Sequence, residues 1–166
     1  ALPRRSGGSR SALGGAERGR TSVILPDVNV LVYAFRREAV DHDRYATWLS
    51  EALAGSELAL VEAVLLGMVR IVTSRRIMAD PAPTPLALLF VEALLEAPRA
   101  RLLSPTRATW NRLRTIVTDD AQVRGPLVPD AWLAALAVSH GCRLATADRG
   151  FARFQGLDWF VPVEPR

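Results

Sequence analysis

From residue 23 onward, the chain alternates between short apolar runs and longer stretches with helical periodicity. The short runs predict buried strands over residues 23–26, 58–61, 101–103, 143–146 and 157–161. The longer stretches repeat apolar residues at intervals of three and four, and they predict helices over residues 28–36, 41–54, 63–72, 84–96, 105–122 and 127–140. Strands that alternate with helices pair in parallel, so the pattern predicts a three-layer α/β/α domain around a central parallel sheet of about 4–5 strands.

Length and composition restrict the class of protein. The chain has 166 residues, of which 49% are apolar, so we expect one domain with a buried core. No apolar run reaches the roughly 18 residues that span a bilayer, and we expect a cytoplasmic protein that makes no membrane contact. The single cysteine, Cys142, excludes an internal disulfide. With only two histidines besides, His42 and His140, the chain has few of the ligands that a zinc site needs.

The net charge of +4 belongs to the N-terminal segment. Residues 1–22 contain five of the 21 basic residues and one of the 17 acidic residues, so residues 23–166 are balanced at 16 of each. The segment is rich in Gly, Ser and Arg and has no apolar periodicity. It therefore predicts a flexible arm at residues 1–22, ahead of a domain at residues 23–166. The arginines of the arm are either solvated or bind phosphate oxygens.

Acidic residues stand where the predicted strands end. Asp27 follows the first strand, Glu62 the second and Asp148 the fourth, while Asp130 opens the predicted helix over residues 127–140. In an open parallel sheet, ligands bind beyond the carboxyl ends of the strands, so we expect these acids to share one crevice. Carboxylates in one crevice repel each other unless cations lie between them. Such hard oxygen ligands favour magnesium or manganese over zinc.

Each acid also has an explanation that involves no chemistry. Asp27, Asp130 and Asp148 each precede or open a helix, where an aspartate commonly caps unpaired backbone N–H groups. Glu62 lies between Val61 and the apolar run at residues 63–66, where we do not expect a solvated side chain. An acidic metal site explains the four placements together better than independent caps do.

Four segments of the sequence follow one another in a characteristic order. They are PDVNVLVYAFR, LVEAVLLGMVRIVTSRRI, LVPDAWLAALAVSHG and RLATADRGFARF. Together they resemble the PIN domain, and specifically the VapC-type toxins of bacterial toxin–antitoxin systems, over about residues 23–162. The acids of that family that match Asp27, Glu62, Asp130 and Asp148 form the divalent-metal site of a ribonuclease. Two polar residues match those that assist this cluster, namely Asn29 and Thr146.

The resemblance implies an endoribonuclease that depends on Mg²⁺, with Mn²⁺ as the alternative ion, and that leaves a 5′-phosphate and a 3′-hydroxyl. A bound divalent ion activates water and neutralises phosphate charge. Asp27, Asp130 and Asp148 are the expected ligands, and Glu62 is a ligand, a ligand through water or a general base. Trp132 departs from the family, because many relatives have His after the PDA triplet, and the Arg-rich extension is also atypical.

The resemblance also implies three partners, namely an RNA substrate, a cognate VapB-type antitoxin and a second copy of the chain in a homodimer. We expect Arg75, Arg76 and Arg149 to reach the RNA backbone, which makes binding salt-dependent. The apolar segment at residues 77–96 and the helix over residues 41–54 are expected to form the homodimer face and the antitoxin groove.

Other kinds of protein fit the sequence less well. The main alternative is a catalytically silent PIN-fold module that only binds protein or RNA, and the four acids argue against it. A nucleophilic triad is disfavoured because neither His42 nor His140 has a serine or cysteine motif around it. A phosphatase that forms an aspartyl phosphate on Asp27 needs a second aspartate where the chain has Asn29. Cys142 is expected to be a buried apolar residue.

Overall fold

The computed structural model describes residues 22–164 and has the predicted α/β architecture. The sheet contains five strands: β1 (Val23–Pro26), β2 (Glu57–Val61), β3 (Ala100–Leu103), β4 (Arg143–Ala145) and β5 (Trp159–Phe160). Every strand pairing is parallel, and the strand order is β3-β2-β1-β4-β5. The predicted parallel sheet is therefore confirmed, whereas the predicted arm at residues 1–22 lies, apart from its last residue, outside the described residues.

Six α-helices lie between the strands within the described part of the chain. They are α1 (Val28–Phe35), α2 (His42–Gly55), α3 (Glu62–Val72), α4 (Thr84–Leu95), α5 (Arg107–Asp119) and α6 (Val128–His140). Short 3₁₀ turns cover Gly125–Leu127 and Arg149–Arg153. Helix α5 begins at Arg107 rather than at residue 105 because Thr106 and Thr109 form a reciprocal cap there, and it ends at Asp119 rather than at residue 122.

The core lies on both faces of the central strands. Leu25, Leu58, Leu60 and Leu144 are essentially inaccessible to solvent, as expected for strands covered by helices on both sides. Helix α6 buries an unbroken run of apolar residues from Leu133 to Ala137, as expected for a helix that is enclosed on several sides. None of the helices in residues 22–164 is long and apolar enough to cross a bilayer.

The strand order creates a crevice next to β1. The chain builds β1, β2 and β3 outward in one direction, and then returns to place β4 and β5 on the other side of β1. Ligands of open α/β sheets bind where the order reverses, beyond the carboxyl ends of the strands. In this protein that place lies between the end of β1 and the end of β4, where Pro26 pairs with Ala145.

Candidate active site

Asp27 lies at the centre of the crevice, directly after β1. Its backbone N–H donates to the carbonyl oxygen of Ala145 over 2.8 Å, which extends the pairing of β1 with β4 by one residue. Its Oδ1 accepts the N–H of Val28 over 2.6 Å, and Asp27 is the N-cap of α1. The side chain is 5% exposed. Capping therefore uses one carboxylate oxygen of Asp27, and the other oxygen faces β4.

Two polar side chains hold the second oxygen of Asp27. Oδ2 accepts a hydrogen bond from Thr146 Oγ1 over 2.7 Å and another from Asn29 Nδ2 over 2.6 Å. Thr146 Oγ1 in turn accepts the N–H of Asp148 over 3.0 Å, and Asn29 Oδ1 accepts the N–H of Ala147 over 3.1 Å. The structure thus joins the first turn of α1 to the segment after β4.

Asp148 and Asp130 approach Asp27 from two other elements. Asp148 lies three residues beyond β4 and is exposed, and its Oδ1 accepts the N–H of Gly150 over 2.7 Å. Asp130 lies in the first turn of α6 and is half-buried. It has no hydrogen-bond or ion-pair partner within residues 22–164, so it is not a helix cap. The carboxylate of Asp130 is therefore available to a ligand.

The electrostatics of the site show that the three aspartates influence one another. Burial raises the pKa of Asp27 above its ordinary value, and the charge of Asp148 raises it further, although hydrogen bonds from Thr146 and Val28 oppose this. Burial also raises the pKa of Asp130, and the charges of Asp27 and Asp148 add to the effect. No ion pair between described residues involves any of the three. A cation from outside the chain would stabilise their ionised forms.

Glu62 does not share this environment. It occupies the first turn of α3, at the same edge of the sheet as Asp27, but its side chain is exposed. The prediction that its apolar neighbours would shield it is wrong. Helical geometry explains the difference, because Val64 and Leu65 turn into the core, whereas Leu66, one turn after Glu62, is 70% exposed on the same face.

The predicted RNA-binding arginines lie in two places. Arg75 and Arg76 are exposed in the segment after α3, and the length of that 11-residue helix, about 16 Å, separates them from Glu62. Arg149 directly follows Asp148, and its Nη2 lies 3.1 Å from Glu164 Oε2. Of these three arginines, Arg149 alone is adjacent in sequence to one of the three aspartates.

The remaining polar candidates have structural roles. A ring nitrogen of His42 lies 3.1 Å from the carbonyl oxygen of Tyr33, and one of His140 lies 3.0 Å from the carbonyl oxygen of Ser104. Cys142 is buried as expected, and burial raises the pKa of its thiol. Trp132 packs its ring against that of Trp110 at a centroid distance of 4.6 Å.

The donor chemistry at the crevice fits a hard divalent cation. Residues 22–164 contain no group of three or more His, Cys, Asp or Glu side chains already gathered closely enough to hold an ion. The three aspartates nevertheless supply only oxygen donors, the set that magnesium and manganese prefer. A carboxylate has about four lone-pair sites, so Asp27 keeps acceptor capacity beyond the three hydrogen bonds that it receives.

Sequence reasoning missed two contributors to this region. One is the backbone N–H of Ala147, which binds Asn29 and carries no side-chain signal. The other is Tyr33, which lies one helical turn after Asn29 on α1 and lines a pocket together with Ala147 and Arg149. The spacing of four residues places both on one face of the helix, and this spacing could have identified Tyr33 from the sequence.

Comparisons with known proteins agree on one family. The family profile of the PIN domain matches residues 24–157. The chain is 41% identical over 144 residues to VapC ribonuclease Mb2897 of Mycobacterium bovis, a match that covers 86% of this chain and 97% of that protein. It is 36% identical over 141 residues to ribonuclease VapC31 of Mycobacterium tuberculosis, which covers 84% of this chain and 99% of that protein.

Solved structures show the same fold at lower identity. The structure of VapBC2 from Rickettsia felis, bound to a DNA fragment from their promoter, matches with a TM-score of 0.61 at 18% identity and covers 83% of this chain and 97% of its own. VapBC-1 from nontypeable Haemophilus influenzae matches with a TM-score of 0.60 at 17% identity, and the match covers 84% of this chain and 98% of that chain.

Proposed function

The chain belongs to the PIN domain family and is a relative of the VapC ribonucleases, and from this membership we propose that it is the toxin of a VapBC toxin–antitoxin pair and a magnesium-dependent endoribonuclease. One observation carries the proposal. Three aspartates from distant segments, Asp27, Asp130 and Asp148, lie near enough to one another at the crevice for their charges to add to the rise that burial causes in the pKa values of Asp27 and Asp130. None of the three has an ion-pair partner among the described residues.

The three aspartates would hold the divalent ion. When bound, such an ion supplies charge neutralisation at the phosphate and a water of lowered pKa. Asp27 is held by Thr146 and Asn29, whose hydrogen bonds favour its ionised form. Ordered neighbours of this kind commonly raise metal affinity, because the ligand does not have to be oriented at the moment of binding. Asn29 and Thr146 are therefore positioning residues for Asp27.

Glu62 suits a different task. Its carboxylate at the end of β2 is exposed and, unlike that of Asp148, is not among the charges that raise the pKa of Asp27 or of Asp130, so it fits proton exchange with water better than a place among the metal ligands. Arg149, which directly follows Asp148, is the arginine best placed to bind an RNA phosphate near the ion.

An exposed apolar surface supports the proposed protein partners. Leu86, Leu88 and Leu89 of α4 are each about half exposed, and a groove of about 860 Å³ between α1 and α4 is lined by Leu86, Leu89 and Phe90. An apolar surface of this kind on a single chain commonly marks a protein interface. We propose that a VapB-type antitoxin and a second copy of the chain cover this region.

Cleavage of total RNA by the purified protein tests the proposed activity. We expect cleavage with Mg²⁺, none with EDTA and none by the Asp130→Asn variant, which also controls for a contaminating nuclease. Cleavage that persists in EDTA contradicts the metal dependence. If the protein binds RNA in Mg²⁺ but cuts none of it, the chain is instead a silent binding module.

A further inference from the structure

A pocket beside Asp148 has no part in the metal site. Its volume is about 340 Å³, which lies in the range of about 300–1,000 Å³ that is typical of small-ligand sites. Its walls include Ala147 and Arg149, the two residues on either side of Asp148. The pocket therefore opens directly beside one of the three aspartates.

Helix α1 carries residues of both the pocket and the aspartate crevice. Tyr33 forms part of the wall and lies one turn after Asn29, whose side chain binds both Asp27 and the N–H of Ala147. Side chains four residues apart lie on the same face of a helix. A group bound against Tyr33 is thus next to the chain segment that carries Asp148.

The pocket presents an aromatic and apolar surface to solvent. The rings of Tyr33 and Tyr45 lie 5.0 Å apart between centroids, at an angle of 41°. Tyr45 is 4% exposed and supports Tyr33, which is 38% exposed. Val40, in the connection between α1 and α2, also lines the pocket and is 94% exposed. An aromatic ring held from behind and open in front is suited to stacking with the flat face of a nucleobase.

The guanidinium of Arg149 at the edge of the pocket can bind the phosphate of a nucleotide. Two charged residues line the pocket, Arg149 and Asp41. The Asp41 carboxylate is paired with Arg44 over 3.1 Å, whereas Arg149 pairs with Glu164 and both of these side chains are mostly exposed. Exposed ion pairs of this kind contribute little to stability, so a phosphate can compete for the guanidinium. The forked guanidinium binds phosphate oxygens through paired hydrogen bonds.

We propose that this pocket binds one unpaired base of the RNA substrate beside the scissile bond, with the base stacked on Tyr33 and a neighbouring phosphate on Arg149. This base subsite rests on the proposed ribonuclease function and adds to it a determinant of where the RNA is cut. It also requires the base to be unstacked from its neighbours, which favours loops and single strands over duplexes.

Abasic substitution of the RNA tests the subsite. An oligonucleotide that the protein cuts is prepared with each base near the cleavage site removed in turn, and kcat/KM is measured for each. We expect one position at which base removal lowers kcat/KM of the natural protein about tenfold, because stacking is lost. Tyr33→Ala should lower kcat/KM on the intact RNA to a similar extent and show no further loss on that abasic RNA, and Tyr33→Phe should restore the natural profile.

Trp110→Ala is the matched control, because Trp110 is an exposed ring that also packs on a second aromatic residue, but it does not line the pocket. With this variant, removal of each base should change kcat/KM to the same extent as it does with the natural protein. If base removal also has its natural effect on the Tyr33→Ala variant, the proposed subsite is wrong.

Val40→Asp is a second test of the subsite, because Val40 is too exposed for its replacement to disturb the core. The added carboxylate should weaken RNA cleavage through charge repulsion. Unchanged cleavage by this variant also contradicts the subsite.

A binding measurement separates failure of the subsite from failure of the proposed function. The Asp130→Asn protein is mixed with the same RNA carrying 2-aminopurine at the critical position, and fluorescence is recorded. Stacking should quench the fluorescence, and the added Tyr33→Ala change should remove the quenching. When the natural protein cuts no RNA, the label is moved along a single-stranded oligonucleotide, and the absence of Tyr33-dependent quenching at every position contradicts the subsite.

Discussion

The hydroxyl of Thr146 and the carboxylate of Asp27 meet over 2.7 Å although 119 residues separate them in the sequence. Thr146 is completely buried, and its oxygen also accepts the N–H of Asp148. One hydroxyl therefore binds the aspartate after β1 and orients the chain segment that carries the aspartate after β4. This contact makes the ends of two strands into one site.

Thr146→Val should reduce both stability and activity. The variant leaves the N–H of Asp148 and one oxygen of Asp27 without this partner, which costs about 1–3 kcal/mol of unfolding free energy. Activity should fall about 10–100-fold, as for other residues that orient metal ligands, and Thr146→Ser should restore most of it. Chemical denaturation and RNA cleavage measure the two effects.

Thr109→Val provides the control for this prediction. Thr109 of α5 is equally buried. Its hydroxyl accepts the N–H of Thr106 and lies 2.9 Å from Ser139 Oγ on α6, so its partners are not residues of the crevice. It should lose similar stability while the folded protein keeps its activity. Equal losses of activity in the two variants would show that Thr146 acts through stability alone.

Asp130→Asn should abolish activity yet stabilise the metal-free protein near neutral pH. The pKa of Asp130 is raised above the ordinary 3.8, so the folded protein binds this proton more tightly than the unfolded chain. Its contribution to stability therefore decreases as pH rises through the interval between the two pKa values. The asparagine of the variant does not ionise, so its stability does not fall in this way as pH rises. We therefore expect the Tm of the variant to exceed that of the natural protein by about 2 °C at pH 7, and the two Tm values to converge in acid.

Thermal melts of the two proteins between pH 4 and pH 8 check this sign, and Mg²⁺ should narrow the difference by stabilising the natural protein. Asp27→Asn should raise the Tm of the metal-free protein less than Asp130→Asn does, because an amide nitrogen in place of Oδ2 cannot accept the hydrogen bonds from Thr146 and Asn29. A Tm of Asp130→Asn that is lower than that of the natural protein at pH 7 would contradict the proposed repulsion.

Gly150→Ala should affect activity more than stability. A Cβ at Gly150 would lie 2.9 Å from Oδ1 of Asp148, so that carboxylate has to move. The position is exposed, and we expect a Tm close to that of the natural protein with cleavage reduced about tenfold, the low end for a disturbed metal-ligand environment. Gly55→Ala, whose Cβ would meet nothing within 4 Å, is the control and should leave cleavage unchanged.

Removal of residues 1–21 should change RNA affinity but not the cleavage position. The deletion removes five arginines and Glu17, and none of the residues proposed for the active site. Binding should weaken across RNA sequences, with a shallower dependence on salt, because contacts to phosphates carry no base information. Cleavage mapping and binding at two salt concentrations check this, and a shifted cleavage position would place the segment within the active site.

The order of the elements, and the positions of the acids on them, could be predicted from the amino-acid sequence. Hydrophobic periodicity is a local property, so the predicted strands and helices agree with the structure to within a few residues at most ends. The alternation of strands with helices also determined that the sheet is parallel. Asp27 and Asp148 could therefore be placed beyond strand ends, and Asp130 in the first turn of its helix, before any contact was known.

Which of these groups share an environment could not be predicted, because it depends on contacts between elements that are distant in sequence. The pairing of β1 with β4 is a contact between distant segments, and it brings Thr146 and Ala147 to Asp27 and Asn29. The rotation of α3 against the core decided that Glu62 is exposed, a property that its apolar neighbours in sequence do not reveal. The pocket at Tyr33 forms where α1 and α2 lie beside the segments that follow β4 and β5. The physical reason is the same in each case, because burial and electrostatic coupling depend on distances that the folded chain sets between elements.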